Sequence, residues 1–407
     1  MLTRRQFLGR GACGLSFVTL AGTMPSLLAR AAAAANDPAA NDQVLVVVEL
    51  SGGNDGLNTL IPFGNDLYFK NRPTLGIAAE QVLKLNDGVG LHPSLAPLHE
   101  LFQSGKLAVV QGVGYPEPNR SHFRSMEIWH TASTNAAVPT TGWLGRVVDH
   151  VAEQPNEKLY GLVLSGGLPQ AFQADKVAVP VVSQLEALPV ADEGAPAKAQ
   201  LLKKLSTTGS AAAGSSAAGP LNFLRSQAKA VYRAAEKLHD AASKYQSSVA
   251  YPDGELGPQL RRAAQIVSAD LGVRILYATQ GGYDTHATQA AAHAGLLDQL
   301  AKSLAAFQQD LDALKLADRV SVLVFSEFGR RVDENASQGT DHGAASHVFV
   351  LGNKVKGGLL GKYPSLAELG EGDLVFNTDF RSVYATLLGG WLGCPAEKLL
   401  GANFEAV

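Results

Sequence analysis

The most constraining feature is a short run, Val44-Leu45-Val46-Val47-Val48-Glu49-Leu50, that breaks off in Ser51-Gly52-Gly53-Asn54-Asp55-Gly56. A continuous apolar run of this length, rich in β-branched residues and closed by turn residues, reads as a strand buried on both faces. Such strands occur where helices cover both sides of a mostly parallel sheet. The loop after the run then lies at the strand's carboxyl end, the edge where ligands bind in open parallel sheets. With 46% hydrophobic and 17% charged residues in 407, the chain has the apolar content for one large domain of this kind.

The same grammar continues downstream. Pro93 to Gly105 predicts a helix with Pro early and Gly just past its end, and Leu107–Val110 a strand. A helix is expected from Ser121 to Thr131 and a strand from Leu159 to Leu164. Helices are expected over Pro258–Leu271, His286–Leu316 (with a break at Gly295) and Asp379–Leu392, and strands over Val273–Ala278, Val320–Phe325 and His347–Leu351. Strands alternating with helices give a three-layer α/β domain, expected over residues 41–407. Residues 206–219 are of low complexity and read as a flexible loop; Leu221–Tyr245 reads as a charged amphipathic helix. Both belong to a helical insertion at about 181–255.

Residues 1–35 read as a leader and lead-in. A basic stretch precedes a short apolar run, Gly11 to Met24, and small residues follow in an Ala-x-Ala pattern. The run is too short and too rich in Gly and Thr to span a bilayer. Thr3-Arg4-Arg5-Gln6-Phe7-Leu8 resembles the twin-arginine motif, which implies export as a folded protein to the periplasm or beyond, with the twin-arginine translocation machinery as partner. Arg4, Arg5, Arg10 and Arg30 fall in this segment and no acid does, so its removal leaves 34 less 4 basic residues against 37 acidic, changing the formal charge from -3 to -7. A mildly acidic body has no electrostatic footprint for nucleic acid or an anionic membrane. Cys13 lies in the leader; Cys394 alone remains, so no intrachain disulfide can form, and it reads as a small core residue.

Five polar stretches sit beside the expected strands. They are Asn54-Asp55, Asn119-Arg120-Ser121-His122, Gly281 to His286, Ser326-Glu327-Phe328-Gly329-Arg330, and Asp341-His342-Gly343. Carboxylates and imidazoles at rigid strand ends are what a divalent ion needs. Ser121 at a helix start has free N–H groups and a positive dipole beside it, and Arg120 and Arg124 flank it as candidates to hold ester oxygens. Each also has a plain reading: Asp55-Gly56 as a turn, Ser121 as an N-cap, Asp284 and His286 as helix caps, His342 as a loop residue, and His122, Arg330 and His347 as ordinary side chains. Glu327, leaving an apolar strand, is hardest to explain that way.

In this order the stretches resemble the alkaline phosphatase superfamily, with its sulfatases and cofactor-independent phosphoglycerate mutases, from Val44 to Leu400. More narrowly they resemble the twin-arginine-exported family called domain of unknown function 1501, through Leu50 to Asn58, Asn119-Arg120-Ser121-His122-Phe123, Asp284-Thr285-His286, Ser326 to Arg330 and Asp341-His342-Gly343. The resemblance implies an alkaline-phosphatase-like fold and one or two divalent ions (zinc, manganese, magnesium or calcium). It implies metal ligands at Asp55, Ser121, Asp284, His286, Glu327 and His342, with Ser121 as nucleophile or metal-bound hydroxyl. Glu327 matches the acid of the superfamily's Asp-His pair, although Asp341-His342 has that look by itself. Phe328 stands where the pair has its histidine, only one residue separates Asp284 from His286, and no formylglycine stretch is present, so Asp341 or His347 would have to complete a second metal site.

The expected chemistry is metal-dependent hydrolysis or transfer at a phosphate or sulfate ester, with a small anionic ester as substrate and Arg120 or Arg124 offsetting charge. The alternative is a non-catalytic periplasmic or cell-surface binding or assembly protein that kept the fold, which Phe328 favours. A general α/β-hydrolase would need a Gly-x-Ser-x-Gly elbow, which the sequence lacks.

Overall fold

Val44–Leu50 forms the strand β1, buried along its whole length at the centre of an eight-stranded sheet. A computed structural model of the chain describes residues 42–135, 137, 139–152, 160–177, 179–182 and 244–407. The leader, the stretch 206–219, nearly all of the expected helix Leu221–Tyr245 and most of the expected insertion lie outside these residues. The described residues fall in one compact unit, Asp42–Val407.

The other strands are β2 (Leu107–Gly114), β3 (Gly161–Val163), β4 (Ile275–Gln280), β5 (Val320–Ser326), β6 (Ser346–Leu351), β7 (Gly358–Leu360) and β8 (Thr378–Asp379). Their order is β7-β2-β6-β5-β1-β4-β3, with β8 on the end of β2. All neighbours run parallel except β6, which is antiparallel to both β2 and β5. That exception matters for the site. In a parallel strand the residues after it reach the carboxyl edge; in a reversed strand the residues before it do. Asp341 and His342, which precede β6, therefore lie on the edge reached by the exits of β1, β4 and β5.

The apolar faces of β1 feed two cores. Val44, Val46, Val48 and Leu50 pack with the helices Ala96–Gln103 (α1), Leu256–Ser268 and Gln289–Ala313. Leu45 and Val47 face the other way, among residues of the helices His122–Thr131 (α2), Trp143–Val151 (α3) and Phe380–Ala385. This is the expected three-layer α/β arrangement with a mostly parallel sheet. Cys394 is buried in the second core, as expected.

Several boundaries differ from the sequence expectation. Gln289–Ala313 passes through Gly295 unbroken, because a Cβ there would meet nothing within 4 Å and the glycine marks no close approach. That helix also begins three residues after His286, leaving Asp284 and His286 in a loop with neither as its N-cap. β2 runs on to Gly114 past a register shift between Val110 and Val113. The helix α3 had no sequence expectation.

Candidate metal centre

Four loops meet where β1, β4 and β5 end and β6 begins. The Gly52-Gly53 pair is what lets them approach. Gly52 has φ +120° and a Cβ on it would lie 2.5 Å from the Asp284 backbone nitrogen; Gly53 has φ +74° and its Cβ would lie 2.2 Å from the Phe328 ring. Only glycine fits both the conformation and the space. Arg330, 2% exposed, then ties the loops together. Its guanidinium donates to the Gly53 oxygen at 2.6 Å, the Thr340 oxygen at 2.8 Å, the Tyr283 oxygen at 2.9 Å, the Gly52 oxygen, and Asp284 Oδ1 at 2.8 Å.

Around Asp284 stand three histidines. Asp284 Oδ1 is 3.0 Å from His286 Nε2 and 3.1 Å from His342 Nε2, and those two nitrogens are 2.9 Å apart. His122 Nε2 lies 3.5 Å from Asp284 Oδ2 and is buried without a hydrogen-bond partner. One donor atom from each of His122, Asp284 and His342 falls within 4.8 Å of the others.

In every one of these rings the other nitrogen is already engaged. His122 Nδ1 is 2.8 Å from Glu327 Oε1, His286 Nδ1 is 3.2 Å from Asp341 Oδ1, and His342 Nδ1 is 2.8 Å from the carbonyl oxygen of Arg120. All three partners are acceptors, so each Nδ1 carries the proton and each Nε2 presents a lone pair toward Asp284. Metal-ligating histidines are held in this way, by a carboxylate or carbonyl on the far nitrogen. Lone pairs facing one another at these distances need a cation between them. Donors on one ion at about 2.0–2.1 Å stand roughly 3 Å apart at right angles and roughly 3.4 Å apart at tetrahedral angles; the 2.9, 3.0 and 3.1 Å separations are those of the right-angle case.

The local electrostatics agree. Burial by itself would raise the Asp284 carboxyl, but the hydrogen bond and the charge of Arg330 outweigh it and bring the group down to about 2. Asp284 is therefore a carboxylate at any physiological pH. The His122 imidazole is raised, first by its hydrogen bond to Glu327, against the opposing effect of burial. Phe328 packs its ring 4.9 Å from those of both His122 and His342 and forms a wall that fixes their planes.

Asp284, His286 and His342 are brought together as the sequence suggested; the other expected site residues are not. The Asp55 carboxylate is fully buried in an ion pair with Arg72 (2.7 and 3.2 Å), with Gln289 also donating to it. Burial would raise its pKa, but the Arg72 charge and hydrogen bond prevail and hold it at about 2. It serves the loop as an N-cap, accepting from the Asn58 N–H, and has no contact with the histidines. Glu327 does not turn toward the Asp284 group. Its oxygens accept from the Gly52 N–H (2.9 Å), the Ser326 hydroxyl (3.0 Å) and His122 (2.8 Å), so its carboxylate is spent on orienting the His122 ring and the Gly52 loop.

Arg120 spends its guanidinium on Asp373 (2.6 Å) and Glu371 (3.3 Å), and Arg124 on Glu127 and the carbonyls of Thr134 and Asn135. Neither is free to hold an ester oxygen. Ser121 caps α2 without a side-chain capping bond, its N–H donating to Asn119 Oδ1 at 2.9 Å; its hydroxyl is uncommitted and adjoins His122 in sequence. His347, the other candidate to complete a site, is buried behind the loops beside Tyr363, with no partner for either ring nitrogen. His122 was legible only as part of the Asn119 to His122 stretch; Asp341 as an orienting acceptor had no separate signal.

Beside the centre a cleft of about 490 Å³ is lined by His122, Asp284, Glu327, Ser51, Glu49 and His130, among others.

The model of one protein family, described as protein of unknown function (DUF1501), matches residues 42–390. The chain belongs to that family. All four donors and the groups that orient them lie inside the match. No curated protein matches the sequence. Among solved structures the chain is similar to a sulfatase from Pseudoalteromonas sp. (10% identity, 90% of this chain and 70% of that one, TM-score 0.40). It is similar also to the C-terminal periplasmic domain of EptC from Escherichia coli in complex with Zn (10% identity, 88% and 84%, TM-score 0.38). A third similar structure is the lipoteichoic acid synthase LtaP from Listeria monocytogenes (10% identity, 80% and 68%, TM-score 0.34).

Proposed function

We propose that this chain is an exported, metal-dependent hydrolase or transferase acting on phosphate or sulfate esters, with one divalent ion held by His122, Asp284, His286 and His342. The observation that carries the reading is the convergence of three histidine Nε2 atoms on one carboxylate while all three Nδ1 atoms are hydrogen-bonded to acceptors. A shared proton would satisfy one such pair; His122, Asp284 and His342 present ligand atoms within 4.8 Å of one another, and His286 Nε2 stands 3.0 Å from Asp284 Oδ1, a set that one ion would draw together. Three imidazoles and one carboxylate suit zinc better than magnesium or calcium, which prefer oxygen. With Asp55 and Glu327 engaged elsewhere, the described residues supply one such set.

An ion so held supplies Lewis-acid polarisation of an ester oxygen and lowers the pKa of a hydroxyl brought to it. The chain's own part is to hold Asp284 charged through Arg330, to keep the three rings in one tautomer through Glu327, Asp341 and the Arg120 carbonyl, and to offer the Ser121 hydroxyl beside His122 as the nucleophile. The resemblance of the five stretches to the alkaline phosphatase superfamily supports the ester chemistry. Export rests on the Arg4-Arg5 leader, with the translocation machinery as partner; no helix among the described residues is long and apolar enough to cross a membrane.

One observation favours a binding or assembly protein instead: Arg120 and Arg124 are both engaged, so no arginine beside Ser121 is free to neutralise a developing anion. The test is turnover of 4-nitrophenyl phosphate, bis(4-nitrophenyl) phosphate and 4-nitrophenyl sulfate by the zinc- or manganese-loaded full chain. Hydrolysis of one of them, lost in His342→Ala and reduced in Ser121→Ala at unchanged metal content, is the expected result. Metal binding with no turnover would transfer the case to the binding protein; no metal binding would sink both.

A further inference from the structure

Glu49 is anomalous. It is the one ionisable residue in β1, at the heart of the sheet, and it is 7% exposed. Burying a carboxylate there is expensive without partners. Its partners are His130, whose Nε2 lies 2.9 Å from Glu49 Oε2, and the Tyr277 hydroxyl, which donates to the same oxygen. With Nε2–H directed at Glu49, the His130 ring turns Nδ1 away from the pair, and Nδ1 has no protein partner among the described residues. Glu49 and His130 both line the cleft that holds His122 and Asp284.

The cleft follows α2. His122 and His130 are eight residues apart on it, about 12 Å along its axis, so the Glu49–His130 pair meets a part of a ligand remote from the metal centre. What this part must be follows from the lining. Among the charged groups, Glu49 is satisfied by His130 and Tyr277, Glu127 by Arg124, and Glu327 by Gly52, Ser326 and His122. Among the described residues no lysine or arginine lines the cleft. The polar groups left over are the Ser51 hydroxyl, the Gln170 amide and His130 Nδ1. Beside them on α2 lie Met126 and Phe123; Phe123 is 91% exposed, the most exposed of the large apolar side chains among the described residues. Uncommitted hydrogen-bonding groups beside a bare aromatic face suit a ring with many hydroxyls and one apolar side.

We infer that the cleft from Phe123 to Glu49–His130 is a subsite for a neutral, hydroxyl-rich group of glycan type, which forms the alcohol portion of the ester acted on at the metal centre. The identity of the subsite rests on the ester reading only for what the sugar is attached to, and its own test needs no turnover. Saturation-transfer NMR is run on the zinc-loaded full chain with maltose, cellobiose and ethanolamine as separate probes. Maltose or cellobiose should receive saturation, and binding should weaken about tenfold in Phe123→Ala, the loss expected for one aromatic contact. Because Phe123 is exposed, that change leaves the packing intact. Gln170→Ala should weaken the same sugar without changing the urea unfolding midpoint, a result that a merely structural residue would not give. Absence of transfer to both sugars, transfer to ethanolamine alone, or sugar binding unchanged in Phe123→Ala would each overturn the inference. A chain that binds the sugar yet cleaves none of the aryl esters would contradict the ester reading and leave the subsite standing.

Discussion

Lowering the pH from 7 to 5 is expected to remove a large share of this protein's stability through three buried histidines that the metal centre does not use. His92, His293 and His347 are each at most 8% exposed. Burial depresses all three, to about 4, about 4 and about 3, with the Asp55 carboxylate opposing it. His92 Nδ1 accepts from the Ser94 N–H and His293 Nε2 donates to Asn54 Oδ1, while His347 has no partner for either nitrogen. None has a carboxylate in contact to accept a hydrogen bond from a second ring N–H.

A histidine depressed on folding takes up a proton on unfolding. The stability it contributes is present above the unfolded value of about 6.5 and is lost as pH falls toward the folded value. At pH 5 each costs about 2 kcal/mol, and the three together on the order of 5 kcal/mol, against a total of about 5–15 kcal/mol for a typical domain. His122 works in the other direction: its raised pKa gives a contribution present below about 6.5 and lost above, so it offsets part of one histidine. Asp55 and Asp284, both near 2, begin to matter only as pH falls through the carboxylate range.

The assay is urea unfolding followed by tryptophan fluorescence at pH 7, 6 and 5, in chelator so that metal loading does not vary. The midpoint should fall steadily, with a net uptake of about two protons near pH 5. His347→Leu should abolish about a third of the fall. A midpoint that does not move between pH 7 and 5, or a proton uptake below one, would refute the reasoning.

Removing Arg72 while keeping Asp55 (Arg72→Met) strands a buried carboxylate and should cost about 3–5 kcal/mol in urea unfolding, part of which Asp55→Asn in the same chain should restore. Asp55→Asn alone should leave the metal content per folded chain unchanged, because the Asp55 carboxylate is committed to Arg72 and Gln289. Glu327→Gln and Asp341→Asn should each weaken metal affinity about 10–100-fold in a competition titration without abolishing it, whereas His286→Ala and His342→Ala should abolish it. Cys394, buried and with its thiol pushed up to about 11 by that burial, should resist maleimide at pH 8 until the chain is unfolded.

The sheet was legible because its strands are apolar runs of the right length: β1 and β5 are read nearly to the residue, since burial on both faces leaves no polar alternation to confuse them. β6 was read as closely, but its antiparallel direction was not. A buried strand of either direction has the same composition, and only the pairing distinguishes them. The site was legible as a set of loops but not as a set of ligands. Asp284 and Glu327 look alike in sequence; what separates them is that Gly52, Ser326 and His122 reach Glu327 first. Asp55 was misjudged for the same reason, since Arg72 is seventeen positions away and nothing in the spacing announces a pair. His122 looks in sequence like an ordinary first-turn residue; the fold sets its ring against Phe328 and its Nδ1 on Glu327. Glu49 lay in plain sight inside an apolar strand, and its meaning depended on a tyrosine and a histidine from other elements.

The proposed centre is one ion bound by His122, Asp284, His286 and His342. X-ray absorption at the zinc edge, on full-length protein loaded with one equivalent of zinc and freed of excess, reads that directly. The expected spectrum has a shell of nitrogen and oxygen at about 2.0–2.1 Å with the outer-shell pattern of about three imidazoles, and this pattern is lost in His342→Ala. A folded protein that retains no zinc, or one whose bound zinc shows an oxygen shell without imidazole, would contradict it.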